Sequence, residues 1–500
     1  MCLLVGLLPM AVRLALLPVR PIPEPAVQDE SSYLLGADTF RQGRITNPPH
    51  ALWVHFETFH ENFQPTYASK YPPAQSLILA AGWKLFGHPW YGVLLSCGLM
   101  CAALSWMLQG WLPPPYALLG GLMAGAQWGI AGYWINSYWG GAVAAAAGAL
   151  VVGAVPRLAR HPMPGTTALA ALGLVVLANS RPCEGAVTAI GAVGALYLWR
   201  RRSNHPMREL FAWPIALPAG MILVCGLAAM LYYNYSVTGH PLEMPYVLNQ
   251  AQNGGSPIFW MMPLHPPPVY RHDVIRRFWL EWDLPYYRLA HSFPPVVLLF
   301  FVNMLRFFLT PISAIALFTA IVLRGGRKVC LALVMAGTAA AGLLLERFPN
   351  PHYFAPATGL VLLLAMLGVQ YVRVKFGRRA LAAFAALFFV VAAIQASRLA
   401  EEEYPHGLFT AHRQSVIHRL QHNGGRHLAI VRYAADHNVL EEWVYNRADI
   451  DGSAIVWARD MGDAANRELL DYYAARQPDR HVWMVQADAA APKPVPYAPR

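Results

Sequence analysis

The feature that most constrains this chain is a succession of long apolar runs, near residues 2–19, 90–112, 115–133, 138–156, 165–180, 184–199, 211–233, 293–323, 328–346, 353–372 and 380–399. A run of about 18 or more apolar residues can cross the hydrocarbon core of a bilayer as a helix, the form that satisfies its own backbone hydrogen bonds there. About eleven crossings are therefore expected. Hydrophobic residues make up 56% of the chain and charged ones 13%, about half the charged share of a soluble protein. Mean hydropathy is +0.34. A soluble enzyme, a disordered chain and a disulfide scaffold are excluded. The first run reads as a helix rather than a signal peptide, because it lacks a charged start and a small-residue cleavage site and is interrupted by Arg13.

The net charge of +11 does not point to nucleic acid. Residues 1–399 hold 27 Lys and Arg against 13 Asp and Glu, while residues 400–500 hold 11 against 14, so the basic excess belongs to the membrane part. Its basic loops are Arg157 and Arg160, then Arg200, Arg201, Arg202 and Arg208, then Arg324, Arg327 and Lys328, then Arg373, Lys375, Arg378 and Arg379. Threaded through the runs above, all four fall on one side, which the positive-inside rule makes cytoplasmic. Of the acids before residue 400, only Glu209 lies there. The opposite face receives segments 20–89 and 234–292, the connections 134–137, 180–184 and 346–352, and the tail from 400. That face is expected to hold the chemistry. The six cysteines all sit in or beside apolar runs and read as small core residues. Cys97 and Cys101 share a helix face but lack further ligands for a metal.

The tail, 400–500, reads as a small soluble α/β domain. Strands are expected at His427–Tyr433, Ala454–Ala458 and His481–Gln486, alternating with helices at 409–422, 437–446 and 463–476, and Val495–Arg500 is expected to fray. Either a cap on the outer face or an acceptor-contacting role suits it. The loop 234–292 is long, aromatic and proline-rich, which favours a lid or acceptor-binding element over an idle connector.

The first loop is the most informative. A stiff exit, Pro21–Pro25, leads into Asp29-Glu30-Ser31-Ser32-Tyr33. Two carboxylates this close to a membrane boundary are costly unless hydrogen-bonded, paired or functional. In an extended segment they point to opposite faces, so one can serve as a general base while the other holds local structure. Farther on come His55, Glu57 and His60, then Pro65-Thr66-Tyr67-Ala68-Ser69-Lys70-Tyr71-Pro72-Pro73-Ala74-Gln75. The aromatic and proline content suits a structure lying at headgroup depth. His55, Glu57 and His60 offer ligands to a divalent cation, though no two have the i, i+4 spacing of a helical two-histidine site. Nothing in the sequence requires a metal or other cofactor.

The Asp29-Glu30-x-x-Tyr33 opening, the Tyr71-Pro-Pro-x-Gln75 close and the many spans resemble the GT-C superfamily of membrane glycosyltransferases. The resemblance is to its bacterial branch allied to protein O-mannosyltransferases and aminoarabinose transferases. It implies a GT-C-like transmembrane domain over 1–399 in a bacterial inner membrane, N-terminus cytoplasmic, with a periplasmic α/β domain over 400–500. It also implies inverting transfer of a sugar from a polyprenyl-phosphate donor to a lipid, glycan or protein acceptor. Asp29 takes the catalytic position, beside Glu30. Candidate substrate-binding residues are Tyr33, His55, Glu57 and Lys70 in the first loop. Arg181 and Glu184, with Arg347, His352 and Tyr353, join them because an arginine at the outer end of a helix can meet a phosphate. The bland alternative is that Arg181–Glu184 and Glu346–Arg347 neutralise themselves. The rival functions are a secondary transporter of an envelope metabolite, for which no internal repeat is evident, and a non-catalytic envelope scaffold.

Overall fold

The computed structural model describes residues 1–130, 132–402 and 407–497, with residues 395–402 described by backbone alone. Residues 1–402 are mainly helical. The first nine α-helices are α1 (Cys2–Ala15), α2 (Gln28–Arg41), α3 (Pro73–Phe86), α4 (Trp90–Trp111), α5 (Pro114–Ala124), α6 (Ala142–Arg160), α7 (Pro164–Ala178), α8 (Pro182–Arg202) and α9 (Trp213–Thr238). Proline opens several of them, where its missing N–H is not needed. Later helices cover Pro295–Phe308, Pro311–Thr319, Arg327–Leu343 and Thr358–Glu402, the last broken at Gly377.

Among the described residues, four stretches are long and apolar enough to cross a membrane: Trp90–Trp111, Ala142–Arg160, Trp213–Thr238 and Pro351–Ile394. A bent pair, Asp273–Ser292 with Pro295–Phe308, makes a fifth if it counts as one span. Other apolar runs form shorter helices, apart from 184–199, which lies in the 21-residue α8 with Arg200, Arg201 and Arg202 in its last turn. α1 and α7, with 14 and 15 residues, are roughly 21 to 23 Å long.

α4 and α6 form the centre of the bundle, with Leu104, Met107, Ala145 and Val152 packed against Leu363 and Met366 of the last long helix. Close approach depends on small residues. A Cβ on Gly148 of α6 would lie 2.0 Å from the Pro356 carbonyl oxygen, so glycine lets the 351–357 segment rest on α6. At one end of the bundle the basic loops converge on helix-terminal carbonyls. Arg160 donates to Gly110 O (3.1 Å), Arg327 to Trp199 O (2.6 Å), Arg200 to Leu158 O (2.9 Å), and Lys328 to Trp111 O. α4 has 22 residues, which puts Trp90 and the acidic segments roughly 33 Å away at the opposite end.

The tail forms a four-stranded sheet in the order Ile455–Arg459, Arg426–Arg432, Arg480–Gln486, Pro494–Pro496. The first three strands are parallel and the last antiparallel. Helices Gly407–His422 and Asp463–Arg476 accompany the sheet. Two expectations are corrected. Residues 437–446 are not helical, because Trp443 N donates to the Tyr433 hydroxyl (3.0 Å) and Val444 N to Glu442 Oε1 (2.8 Å), side-chain acceptors that replace helix carbonyls. Val495 does not fray but pairs with Met484; residues 498–500 lie outside the described residues. The sheet packs against the first loop, where Leu35, Phe56, Phe63 and Tyr67 share a core with Leu428, Ile430 and Ile450.

Candidate active site

α2 begins directly after the proline exit. Asp29 and Glu30 therefore stand about 100° apart around a helix, not on opposite faces of an extended strand. Glu30 holds the first turn together. Its Oε2 accepts from Ala26 N (2.7 Å) and Val27 N (3.1 Å), the reaching-back half of a capping box, and its Oε1 accepts from Tyr138 N (2.8 Å). It is 3% exposed, and burial pushes its carboxyl up to about 7 against those three donors. Three backbone donors occupy the side chain.

Asp29 lies one position earlier, in the first turn, where the helix dipole favours an anion. Its carboxylate is 25% exposed. The Tyr71 hydroxyl donates to Oδ1, and His60 Nε2 lies 3.7 Å from Oδ2. A short hairpin supplies these partners. Glu61 pairs with Ser69 and Asn62 with Ala68, so the flanking His60 and Lys70 face each other, and Lys70 Nζ lies 2.7 Å from His60 Nδ1. Tyr71 stacks on Tyr33 at 4.3 Å between centroids, and Tyr233 of α9 donates to the Tyr71 carbonyl (3.0 Å). Burial raises the Asp29 carboxyl, but His60, Lys70 and Tyr71 together hold it below its ordinary value. Burial and Lys70 push His60 down to about 3, with Asp29 opposing. Burial lowers Lys70 to about 8, opposed by Asp29 and Asp283. At neutral pH the group therefore holds an aspartate anion, a neutral imidazole and a mostly protonated lysine.

Arg181, Glu184, Tyr353 and Glu346 approach from the other helices. The Arg181 guanidinium lies over the Tyr353 ring, 4.7 Å from its centroid, and among the described residues it makes no ion pair. It is close enough to Tyr33 to oppose the burial that pushes that hydroxyl up to about 12. Tyr353 in turn feels the charge of Asp29. Between α8, the Arg327–Leu343 helix and the 351–357 segment lies a mainly apolar cavity of about 100 Å³, lined by Glu184, Val187, Phe259, Leu343, Glu346 and Tyr353 among others. Glu346 is 2% exposed, and its Oε2 has no hydrogen-bond partner. Burial and then Glu184 push its carboxyl well above the usual range, with Arg181 opposing.

The other predicted residues have different neighbours. Arg347 does not pair with Glu346. It binds Asp283 of the 234–292 loop, whose other oxygen accepts from Ser256 N (2.8 Å). His352 is buried beside Tyr353, with Tyr133 Oη at 3.1 Å and the Trp139 ring at 4.5 Å. His55 and Glu57 are buried where the first loop meets the tail and residues 271–272. Glu57 pairs with Arg271 (3.1 Å), and its carbonyl accepts from Arg459 (2.6 Å). His55, Glu57 and His60 do not converge, and among the described residues no three His, Cys, Asp or Glu are arranged to hold an ion. Sequence reasoning gave no role to Tyr71, although it stands inside the Tyr-Pro-Pro motif, nor to Asp283 or Tyr233.

No protein-family model matches the chain, and no curated protein matches it. Solved structures do. ArnT from Cupriavidus metallidurans bound to undecaprenyl phosphate superposes with a TM-score of 0.52 at 12% identity, over 96% of this chain and 92% of that one. The chain has an ArnT-like fold. The apo form of the same ArnT gives 0.50 at 12% identity over the same shares. The apo oligosaccharyltransferase of Archaeoglobus fulgidus gives 0.43 at 10% identity, over 97% of this chain and 69% of that one. The similarity to ArnT covers nearly the full length of the chain, tail included.

Proposed function

We propose that the chain is an integral-membrane glycosyltransferase that moves a sugar from a polyprenyl-phosphate donor to an acceptor, with Asp29 as the base and inversion at the anomeric carbon. One observation carries this reading: an ionised, quarter-exposed aspartate at a helix N-terminus, within electrostatic reach of Tyr353, over whose ring the Arg181 guanidinium lies. The ArnT-like fold, solved in one case with undecaprenyl phosphate bound, supports the choice of donor. In the reaction the acceptor oxygen forms a bond to the anomeric carbon from the face opposite the phosphate. The carbon–oxygen bond to phosphate breaks with its electron pair, and the acceptor proton passes to Asp29. Arg181, free of a carboxylate partner and backed by Tyr353, binds the departing phosphate, and Lys70 adds a second cation. The apolar cavity beside Glu184 and Glu346 takes the first part of the lipid tail. Glu30, Tyr33 and His352 position these groups. The basic end of the bundle lies in the cytoplasm and the Asp29 end in the periplasm.

The test is turnover by purified protein in lipid nanodiscs, with undecaprenyl-phosphate hexoses and pentoses as donors and a total membrane lipid extract as acceptor. Asp29→Asn is expected to lower turnover roughly 10²- to 10⁴-fold. Equal turnover in parent and variant removes Asp29 from the role, and no turnover with any donor favours a transporter or a scaffold. Reporter fusions after residue 325 and at the C-terminus check the topology, with cytoplasmic and periplasmic signals expected in that order.

A further inference from the structure

His60 is held in an unusual way. It is a non-glycine residue at φ 61°, in the left-handed region, and is 7% exposed. Such conformations persist where the surroundings over-determine them. Here the His60 carbonyl accepts from Ser32 Oγ (2.6 Å) and from Lys70 N (3.1 Å), and the ring is walled by Phe278 (5.8 Å), Trp279 (5.9 Å) and Tyr71 (6.1 Å). Its two nitrogens face different groups. Nδ1 lies 2.7 Å from Lys70 Nζ, and Nε2 lies 3.7 Å from Asp29 Oδ2. A lysine ammonium has donors and no lone pair, so Nδ1 must accept and the single ring proton must sit on Nε2.

We infer that His60 is a positioning residue for the base: Lys70 fixes its tautomer so that an N–H, and not a lone pair, faces the Asp29 oxygen left free by Tyr71. This rests on the reading of Asp29 as the base. Tyr71 fills Oδ1, which leaves Oδ2 to receive the acceptor proton. A lone pair on Nε2 would compete for that proton, whereas an N–H steers the carboxylate and leaves the proton on Asp29. The separation of 3.7 Å exceeds a hydrogen bond and allows the contact to tighten when substrate arrives, as catalytic hydrogen bonds often do. The charged and titratable groups around the pair are Lys70 and Tyr71 beyond the hairpin, Tyr33 on α2 and Tyr445 of the tail, with Asp283 and Arg347 acting on Lys70. Arg181 and Tyr353 lie beyond Tyr33 and Tyr71.

Two substitutions separate this role from simple packing. His60→Asn tolerates the left-handed backbone and reaches Lys70, but its amide stops short of Asp29. His60→Gln extends to both, with an oxygen for Lys70 and an N–H for Asp29. In the nanodisc assay, with undecaprenyl-phosphate sugars as the probe donors, His60→Asn is expected to lose about tenfold or more in kcat. Donor KM should stay within about twofold, and His60→Gln should recover most of the loss. Independently of turnover, ¹⁵N-histidine NMR of the full-length protein should show one neutral imidazole, protonated at Nε2 and not titrating between about pH 5 and 8, that disappears in His60→Asn. A parent-like His60→Asn, a His60→Gln no better than His60→Asn, or an imidazole that titrates or carries its proton on Nδ1 overturns the inference. An active Asp29→Asn instead overturns the base assignment beneath it.

Discussion

Tyr71→Phe isolates the hydrogen bond that most directly holds Asp29 ionised. The phenyl ring keeps the stack on Tyr33, 4.3 Å between centroids, and the face that Lys70 Nζ approaches at 5.0 Å, so the hydroxyl is the only group removed. A hydrogen bond to a charged group contributes about 1.5 to 3 kcal/mol, and one pKa unit corresponds to about 1.4 kcal/mol. The loss should therefore raise the Asp29 carboxyl. Burial pushes this group up, and in the variant only His60 and Lys70 remain to oppose it. The sign follows from the role: a base works only when deprotonated, so the acid limb of kcat should move to higher pH, while the rate at pH 7, where both forms remain ionised, should change little. The stability that the depressed carboxyl contributes in the parent is present above its ordinary value and lost as pH falls through the lowered one. The variant should lack that contribution. The assay is the pH–rate profile of parent and variant from about pH 4 to 8. An acid limb that stays put or moves down refutes the claim that Tyr71 stabilises the charged form of a catalytic Asp29.

Glu30 behaves in the opposite sense. Its folded carboxyl is raised to about 7 from 4.5, so its contribution is fully present below about pH 4.5 and falls away by about 3 kcal/mol as pH rises to 7. Thermal unfolding at the two pH values should show that fall in the parent and a smaller one in Glu30→Gln; equal falls contradict the assignment. Gly148→Ala drives a Cβ to within 2.0 Å of the Pro356 carbonyl and should cost about 1 to 3 kcal/mol and shift Tyr353. Gly165→Ala, with open space around it, is the control for thermal stability and turnover. Arg181→Lys loses the planar group over Tyr353, and donor KM should rise roughly tenfold; an unchanged donor saturation curve removes Arg181 from phosphate binding.

The parts of this molecule that were legible in the sequence are those written in local periodicity. Apolar runs foreshadowed the bundle helices, and alternating stretches foreshadowed the three parallel strands of the tail to within a residue or two. Segment 437–446 misled because Val439, Leu440, Trp443 and Val444 are spaced as on a helix face. Its outcome was decided by Tyr433 and by Arg459, which pairs with Glu442 at 2.7 Å. The distinct environments of Asp29 and Glu30 had a legible half as well. That one acid would hold local structure followed from their adjacency. Which one did so depended on α2 starting at Gln28 and on Tyr138 N, 108 positions away.

Charge pairing shows the limit most clearly. Proximity in sequence allowed Arg181 to pair with Glu184 and Arg347 with Glu346, an alternative that would leave both arginines neutralised at helix turns. The fold instead gives Arg347 to Asp283, 64 positions earlier, and leaves Arg181 over Tyr353 without a carboxylate. Glu346 is then buried beside Glu184 with an unpartnered oxygen and a raised carboxyl. Two arginines that look equivalent in the sequence thus have different physical standing. Arg347 is committed to the 234–292 loop, so replacing it strips Asp283 of its partner and loosens the loop over the cavity. Arg181 makes no ion pair, but its charge acts on the buried Glu346 and its guanidinium covers Tyr353, so replacing it disturbs these neighbours as well as removing the cation an anion would meet. Donor binding should therefore weaken in Arg181→Ala and hold in Arg347→Ala, whose loss shows in thermal stability; donor binding that holds in Arg181→Ala and weakens in Arg347→Ala would mean that the phosphate lies elsewhere.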